Sequence, residues 1–325
     1  MTTTSKTIKA SGGDYTSLSN WEAGQQKVIS AGDIEEAVCY DLGAADSTAV
    51  TIDGWTTVAT GYINITVAAG QRHDGKRNTG KYRLIGAAAF DPFLLIKESY
   101  VRITGLQISN TGTGSGVLIN LTDTTSSIRM ADTLIFDCTS SGGMVQTNGT
   151  LSMNNCAIMH NVGYGFQVGS GATATYLYNC AFVNNDTYGV QVGGWASAVL
   201  KNCYAGGNGT KDFQQDENGT LTKTTCHSAD TSGDTQTAFA TDSGAYFTNV
   251  THGTEDLHIG ASSALKNVGT DLSADSNWIH PSGYVDIDGD ARGTGANATD
   301  VGIDEIAAAA GLNLALVMAH YKRRH

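Results

Sequence analysis

The sequence predicts an all-β solenoid, a right-handed parallel β-helix, on three observations. A short pattern repeats from Tyr100 to about Ser243, with segments opening at Tyr100-Val-Arg-Ile, Ile128-Arg-Met, Leu151-Ser-Met, Thr175-Tyr-Leu, Ala198-Val-Leu and Leu221-Thr-Lys. Cysteines mark one column of that repeat, Cys156, Cys180, Cys203 and Cys226, at intervals of 24, 23 and 23 residues. Asparagines mark two more, Asn161, Asn185 and Asn208 in one and Asn155, Asn179 and Asn202 in the other. A fixed period near this length with stacked identities is the mark of a solenoid, in which each repeat is one turn of chain.

The type of solenoid follows from the pattern within a turn. Apolar and polar residues alternate over three to five positions, as in Leu151-Ser-Met153, Phe166-Gln-Val168 and Val190-Gln-Val192. Gly, Asn and Asp corners separate these runs and leave no room for long helices. Asparagines stacked turn on turn can satisfy one another by side-chain hydrogen bonds, and Asn110 and Cys138 fall in the Asn161 column when the first two segments are aligned. The cysteine column reads as small buried thiols, since no Cys-x-x-Cys or Cys/His metal spacing occurs. On these residues the stretch from Tyr100 to Ser243 resembles the pectate-lyase-like superfamily, which includes phage tailspikes.

Taken in order, residues 1–35 are expected to form an N-terminal cap. Gly12-Gly-Asp-Tyr15 is a turn, and Ser19-Asn-Trp-Glu22 matches a capping box opening a helix of about ten residues. The run Gly-Gly-Asp-Tyr-Thr-Ser-Leu-Ser-Asn-Trp-Glu resembles the entry segment of β-helix proteins, where a helix covers the first open turn. Residues 36–305 are expected to be the β-helix, with less regular turns at Ala37–Tyr40, Ala49–Ile52, Tyr62–Val67, Tyr82–Ile85 and Phe93–Ile96. The polar, cationic stretch Gly70–Asn78 reads as a solvated loop, with contact to an anionic ligand as the alternative.

The turns are expected to resume at Ala245–Val250 and Asp256–Ile259. Val285-Asp-Ile-Asp-Gly-Asp-Ala-Arg292 followed by Thr299-Asp-Val-Gly-Ile-Asp-Glu305 resembles the closing motif of many bacterial and phage β-helix proteins. Asp286, Asp288 and Asp290 alternate as in Ca²⁺ loops, but the EF-hand Gly and Glu positions are unfilled. The favoured reading is a salt bridge to Arg292 that locks the closing turn, with a structural Ca²⁺ as the alternative; no other cofactor is expected. Residues 306–325 read as an apolar C-terminal helix with the basic tail Lys322-Arg323-Arg324. It is too short to span a bilayer and suits a cap or a docking element for other virion proteins, with a membrane or sorting tail as the remaining alternative.

Composition narrows the partners. With 19 Lys and Arg against 31 Asp and Glu the chain carries a net charge of −12, which argues against nucleic acid. The start, Met1-Thr-Thr-Thr-Ser-Lys-Thr-Ile, shows no secretory signal pattern, so the expected location is a virion released by lysis, or otherwise the extracellular space if a signal has been removed.

Candidate chemistry is sparse. The Gly-His-Gly and Arg-x-Lys motifs of the pectin-hydrolase-like members do not occur. The nearest candidate catalytic group is Lys211, Asp212, Asp216 and Glu217, with Lys201, Lys223 and His227 nearby and Asp186 and Asp230 on adjacent turns. Lyase chemistry needs a base beside carboxylates, and glycosidases need a carboxylate pair. Solvated charges at turn corners are the plainer reading. For ligand binding, Tyr164 and Tyr188 share a column beside Gln167, Gln191 and Gln214, with Trp195 one corner away. Aromatic faces beside amides hold sugar rings without ionic contacts; the alternative is that the tyrosines only cover glycine corners.

The leading expectation is a phage virion structural protein, whether tailspike, fibre or capsid-decorating subunit, presenting a surface to a bacterial or algal polysaccharide. The resemblance to tailspikes implies a homo-oligomer, a trimer by analogy. The runner-up is an extracellular polysaccharide lyase or glycoside hydrolase.

Overall fold

Parallel strands stack in three faces around one apolar core. The computed structural model describes residues 2–88, 92–121, 127–140, 142–237, 246–295 and 299–306. Asp33–Cys39, Tyr62–Val67, Val101–Thr104, Ser127–Ala131, the second halves of Met144–Asn154 and Phe166–Tyr178, Ser197–Lys201 and Thr220–Thr224 form the first face. Leu84–Gly86, Gln107–Asn110, Leu134–Phe136, Ala157–Met159, Ala181–Val183 and Tyr204–Gly206 lead the second. The third holds Val50–Ile52, Leu94–Ile96, Val117–Ile119, the first parts of the two long strands, Tyr188–Val192 and Lys211–Gln215. The chain is therefore a right-handed parallel β-helix, as its repeat predicts.

Register explains why the columns exist. Met130 pairs with Met153, which pairs with Leu177 and then Leu200, all inward and fully buried. Parallel turns lie ~4.8 Å apart, so each inward side chain packs on its counterpart, and burying each stabilises by roughly 1.5–3 kcal/mol.

The two asparagine columns do different work. Asn161 Nδ2 donates to Asn185 Oδ1 at 2.9 Å, and Asn185 Nδ2 to Asn208 Oδ1 at 3.0 Å, a buried ladder just beyond the second face. The backbone N–H of Cys138 donates to Asn161 Oδ1 at 3.0 Å, which extends the ladder one turn. Asn155, Asn179 and Asn202 instead occupy the left-handed region, with φ of 52–53°, at the sharp corner between first and second faces. Asn tolerates that conformation better than other side chains. Their amides point outward, to the carbonyls of Val285, Asp300 and Thr270 respectively.

Those carbonyls belong to a segment the sequence did not place correctly. The described residues from 246 to 306 do not resume the turns. Phe247–Asn249 and Asp256–Ile259 pair antiparallel as a hairpin, and Phe247, Val250, Leu257, Ile259, Leu265, Ile287, Val301 and Ile303 pack on the outward residues of the second face, including Leu134, Phe136, Met159 and Tyr204. The physical reason is visible in those residues: the second face is apolar on both sides, so its outer surface needs a cover.

The cationic stretch Gly70–Asn78 is neither a solvated loop nor a ligand loop. Arg72 pairs with the buried Asp132 and donates to the Ile287 carbonyl, Lys76 pairs with Asp256 at 3.2 Å, and Arg77 pairs with Asp137 at 2.5 Å and lies 3.9 Å from Glu255. Three of its cations thus clamp the covering segment to the early turns. His73 is buried there, and burial, with the Arg72 charge, lowers its pKa to about 4.

At the entry, the helix is Leu18–Gln25 and its cap is Ser17, whose hydroxyl accepts from the Asn20 N–H at 3.1 Å, rather than Ser19. Glu22 is buried and accepts from the Trp55 indole at 3.2 Å and the Asp53 N–H at 3.1 Å, so a residue read as part of a capping box ties the helix to the first turns. Trp21 packs on Trp55 with ring centroids 5.5 Å apart. The apolar helix and basic tail expected at 306–325 lie, beyond Ile306, outside the described residues.

Candidate functional site

The third face carries the aromatic and amide residues singled out in the sequence. Tyr164 and Tyr188 stack nearly parallel, with centroids 5.8 Å apart and an interplanar angle of 10°. Each is followed by a glycine that lets the turns approach. A Cβ on Gly165 would lie 2.5 Å from the Gly189 carbonyl oxygen, and one on Gly189 would lie 2.5 Å from that of Asp212. Register then places Lys211 as the next rung after Tyr188.

Beside the tyrosines runs a ladder of amides. Gln167, Gln191 and Gln214 align in register. Gln167 Nε2 donates to Gln191 Oε1 at 3.0 Å, and Gln191 Nε2 donates to Asp216 Oδ2 at 3.0 Å. Gln214 Nε2 donates to Asp216 Oδ1 at 3.2 Å, so the carboxylate ends the ladder. Trp195 stands at the adjacent corner with 79% of its surface exposed and φ 67°, the most exposed large apolar side chain among the described residues. Two stacked rings, a polar ladder and a solvent-facing indole form a surface suited to flat, hydroxylated ligands.

The candidate catalytic residues are not brought together as one site. Asp212 is buried; its carboxylate accepts from Asn208 Nδ2 at 2.7 Å and from the N–H groups of Ala229 and Asp230 at 2.8 and 3.1 Å. Burial raises its pKa, against those hydrogen bonds. Asp216 serves the glutamine ladder, while Lys211 and Glu217 are exposed. Lys201 lies on the first face, bonded to Asp275 at 2.6 Å, and His227 lies buried on the second, bonded to Thr237 at 2.6 Å. Asp230 is occupied by Ser232 and the Asp212 N–H, and Asp186 is exposed.

The Asp286, Asp288 and Asp290 trio does not converge as a Ca²⁺ loop. Asp286 Oδ1 accepts from the N–H groups of Asp288, Gly289 and Asp290 at 2.8–3.0 Å, and Oδ2 accepts from Glu305 N at 2.9 Å. The ion partner of Arg292 is Glu305, at 3.4 Å, rather than any of the three aspartates. Among the described residues, those whose ligand atoms do cluster are His258, Asp288 and Asp304, within 4.8 Å of one another. His258 already bonds Asp256 through Nδ1 at 2.5 Å and Asp288 through Nε2 at 2.8 Å. Burial alone would depress its pKa; the hydrogen bonds to Asp256 and Asp288 outweigh that and raise it to about 10. A protonated imidazole therefore supplies the positive charge of this cluster.

One feature of the first face escaped the sequence. Arg102 and Arg129 are register partners on adjacent turns, both facing outward. They line a cavity of about 110 Å³ together with Tyr62, Asn64 and Thr104, walled by Ile279 and Pro281 of the covering segment. They also line a second of about 60 Å³ with Tyr100 and Ser127. The Arg102 guanidinium lies 3.4 Å from the Tyr62 ring centroid. The signal was present in Val101-Arg-Ile103 and Ile128-Arg-Met130, where the middle residue of each apolar alternation must point out. What hid it was the wall, contributed by Ile279 and Pro281 far along the chain.

Among the described residues no helix is long and apolar enough to cross a membrane. No curated protein matches the chain. Residues 85–208 match the family model described as the right handed beta helix region, a span that takes in both Tyr164 and Tyr188 but stops short of the turns after Asn208. The strand register and this match agree on the fold, a right-handed parallel β-helix.

Proposed function

We propose that the chain is a carbohydrate-binding β-helix subunit of a phage virion, a tailspike, fibre or capsid-decorating protein, whose third face meets a surface polysaccharide. The observation that carries the binding reading is the parallel Tyr164–Tyr188 stack beside the Gln167–Gln191–Asp216 ladder. Each rung repeats at the spacing of the turns, which suits a polymer better than a single small molecule. The virion assignment rests on the resemblance of the repeats to a superfamily that includes phage tailspikes, and of the closing motif to that of bacterial and phage β-helix proteins; the expectation of a homo-oligomer comes with the likeness to tailspikes.

The test of binding is a glycan array that includes neutral bacterial polysaccharides, probed with the native protein and with Tyr164→Ala/Tyr188→Ala. Base-rate stacking energies imply roughly a tenfold loss per ring removed. Failure of the native protein to bind any glycan, or equal binding by the double variant, would sink the reading. The virion assignment is tested separately, by mass spectrometry of purified particles from a lysing host; absence of the chain from the particles would exclude it.

A further inference from the structure

We infer that the Arg102–Arg129 groove on the first face binds the acidic group, a carboxylate or a sulfate or phosphate ester, of an anionic glycan. Two guanidinium groups on adjacent parallel turns, with backbones ~4.8 Å apart, repel each other. Both are partly withdrawn from water, which makes the repulsion costlier. Neither forms an ion pair with any described residue, in a chain with 31 acidic side chains and 19 Lys and Arg. The carboxylates nearest along the face are turned to other partners. Glu36 is held by Ser5 at 2.5 Å and by Asn64 at 2.8 Å, and Asp132 by Arg72 and His280. Among the described residues the acids thus leave the two arginines without an ion pair, and an incoming anion offsets the repulsion between them.

The chemistry of the groove narrows the ligand further. Arginine's planar fork matches the paired oxygens of a carboxylate, sulfate or phosphate and gives charge-assisted bonds that a lysine cannot reproduce. The Tyr62 ring fixes Arg102 from below, so its orientation is set before a ligand arrives. Asn64 and Thr104 offer neutral polar contacts, and Ile279 with Pro281 an apolar wall. One acidic group held beside neutral polar and apolar surface is the composition of an acidic sugar. A nucleic acid, with a charge on every residue, would meet a net charge of −12. Naming the ligand a glycan rests on the proposed function; the anion site itself rests on the arginines.

The test is affinity electrophoresis of the full chain in gels containing polygalacturonate, dextran sulfate, a phosphorylated mannan or neutral dextran, each scaled to a gel without polysaccharide. The native protein is expected to be retarded by at least one acidic polymer although its own charge has the same sign. Arg102→Gln and Arg129→Gln should each weaken retardation about tenfold, and together about a hundredfold. Circular dichroism checks that the variants stay folded, and Arg129→Lys, which keeps the charge but not the fork, should fall between. The three acidic arms distinguish carboxylate, sulfate and phosphate. Equal relative mobility of native and double-variant protein in every acidic gel, through equal retardation or none, overturns the assignment. That result would leave neutral glycan binding through Tyr164 and Tyr188 standing or falling on the array alone.

Discussion

The Arg292 guanidinium donates to the Asn155 side-chain oxygen at 2.9 Å, joining the covering segment to a solenoid corner 137 residues earlier. The same buried group donates to the carbonyls of Gly302 and Ile303 at 3.0 and 2.9 Å and pairs with Glu305. Removing it strands a buried carboxylate and several carbonyls. Breaking a buried pair in this way costs about 3–5 kcal/mol, so Arg292→Met is expected to lower the urea midpoint strongly and Arg292→Lys by less. A midpoint unchanged in the Met variant would mean that the closing motif contributes nothing to stability.

How much of this was legible in the sequence depended on whether partners lie one turn or many turns away. The cysteine and Asn161–Asn185–Asn208 columns were readable because stacked neighbours repeat at the period of the chain. The fate of Asn155, Asn179 and Asn202 was not, since their acceptors lie in residues 270–300, outside the repeat. The same distance hid the role of Arg72, Lys76 and Arg77; the Arg292 bridge was misassigned for a local reason, since Asp286 Oδ1 is taken by the N–H groups of its own turn and the cation pairs with Glu305 instead. Short apolar runs such as Tyr246–Val250 and Leu257–Ile259 look alike whether they form a solenoid turn or a covering hairpin. Only the apolar outer side of the second face decides between them.

The asparagine ladder should behave as a unit. Asn185 Oδ1 accepts from both Nδ2 and the backbone N–H of Asn161, at 2.9 and 3.2 Å. Asn185→Ala leaves those donors buried without an acceptor, at about 1–3 kcal/mol for each. Guanidinium denaturation should show a loss of at least ~2 kcal/mol on that basis, whereas Glu217→Ala at an exposed corner should stay within about 0.5 kcal/mol. Equal effects would show that the ladder is incidental to the stack.

The thiols should be silent in the folded protein. All six cysteines are free and buried, and burial pushes the Cys138 thiol up to about 12 and that of Cys39 higher still. None of the six has surface in contact with solvent, so a thiol reagent at pH 8 is expected to label none of them until denaturant is added, and then all six. Rapid labelling of any one in the native state would contradict the tight column.

The covering segment should loosen in mild alkali. His258, only 18% exposed at its side chain, faces Asp256, Asp288 and Asp304, with Lys76 paired to Asp256. Its folded pKa, about 10, lies above the ordinary value near 6.5. A group raised on folding contributes its full stability below the unfolded pKa and loses it as pH climbs through the folded one. Stability is therefore expected to fall by a few kcal/mol, in the order-of-magnitude sense, between about pH 6.5 and 10. His258→Gln should lower stability at pH 7 and flatten that decline, with lysine and tyrosine titrations cancelling between the two proteins. Hydrogen exchange across 246–306 locates the effect: faster exchange there at pH 9 than at pH 7, after correction for the intrinsic rate, is the expected result. Parallel pH profiles for native and variant protein would show that the imidazole does not carry this charge.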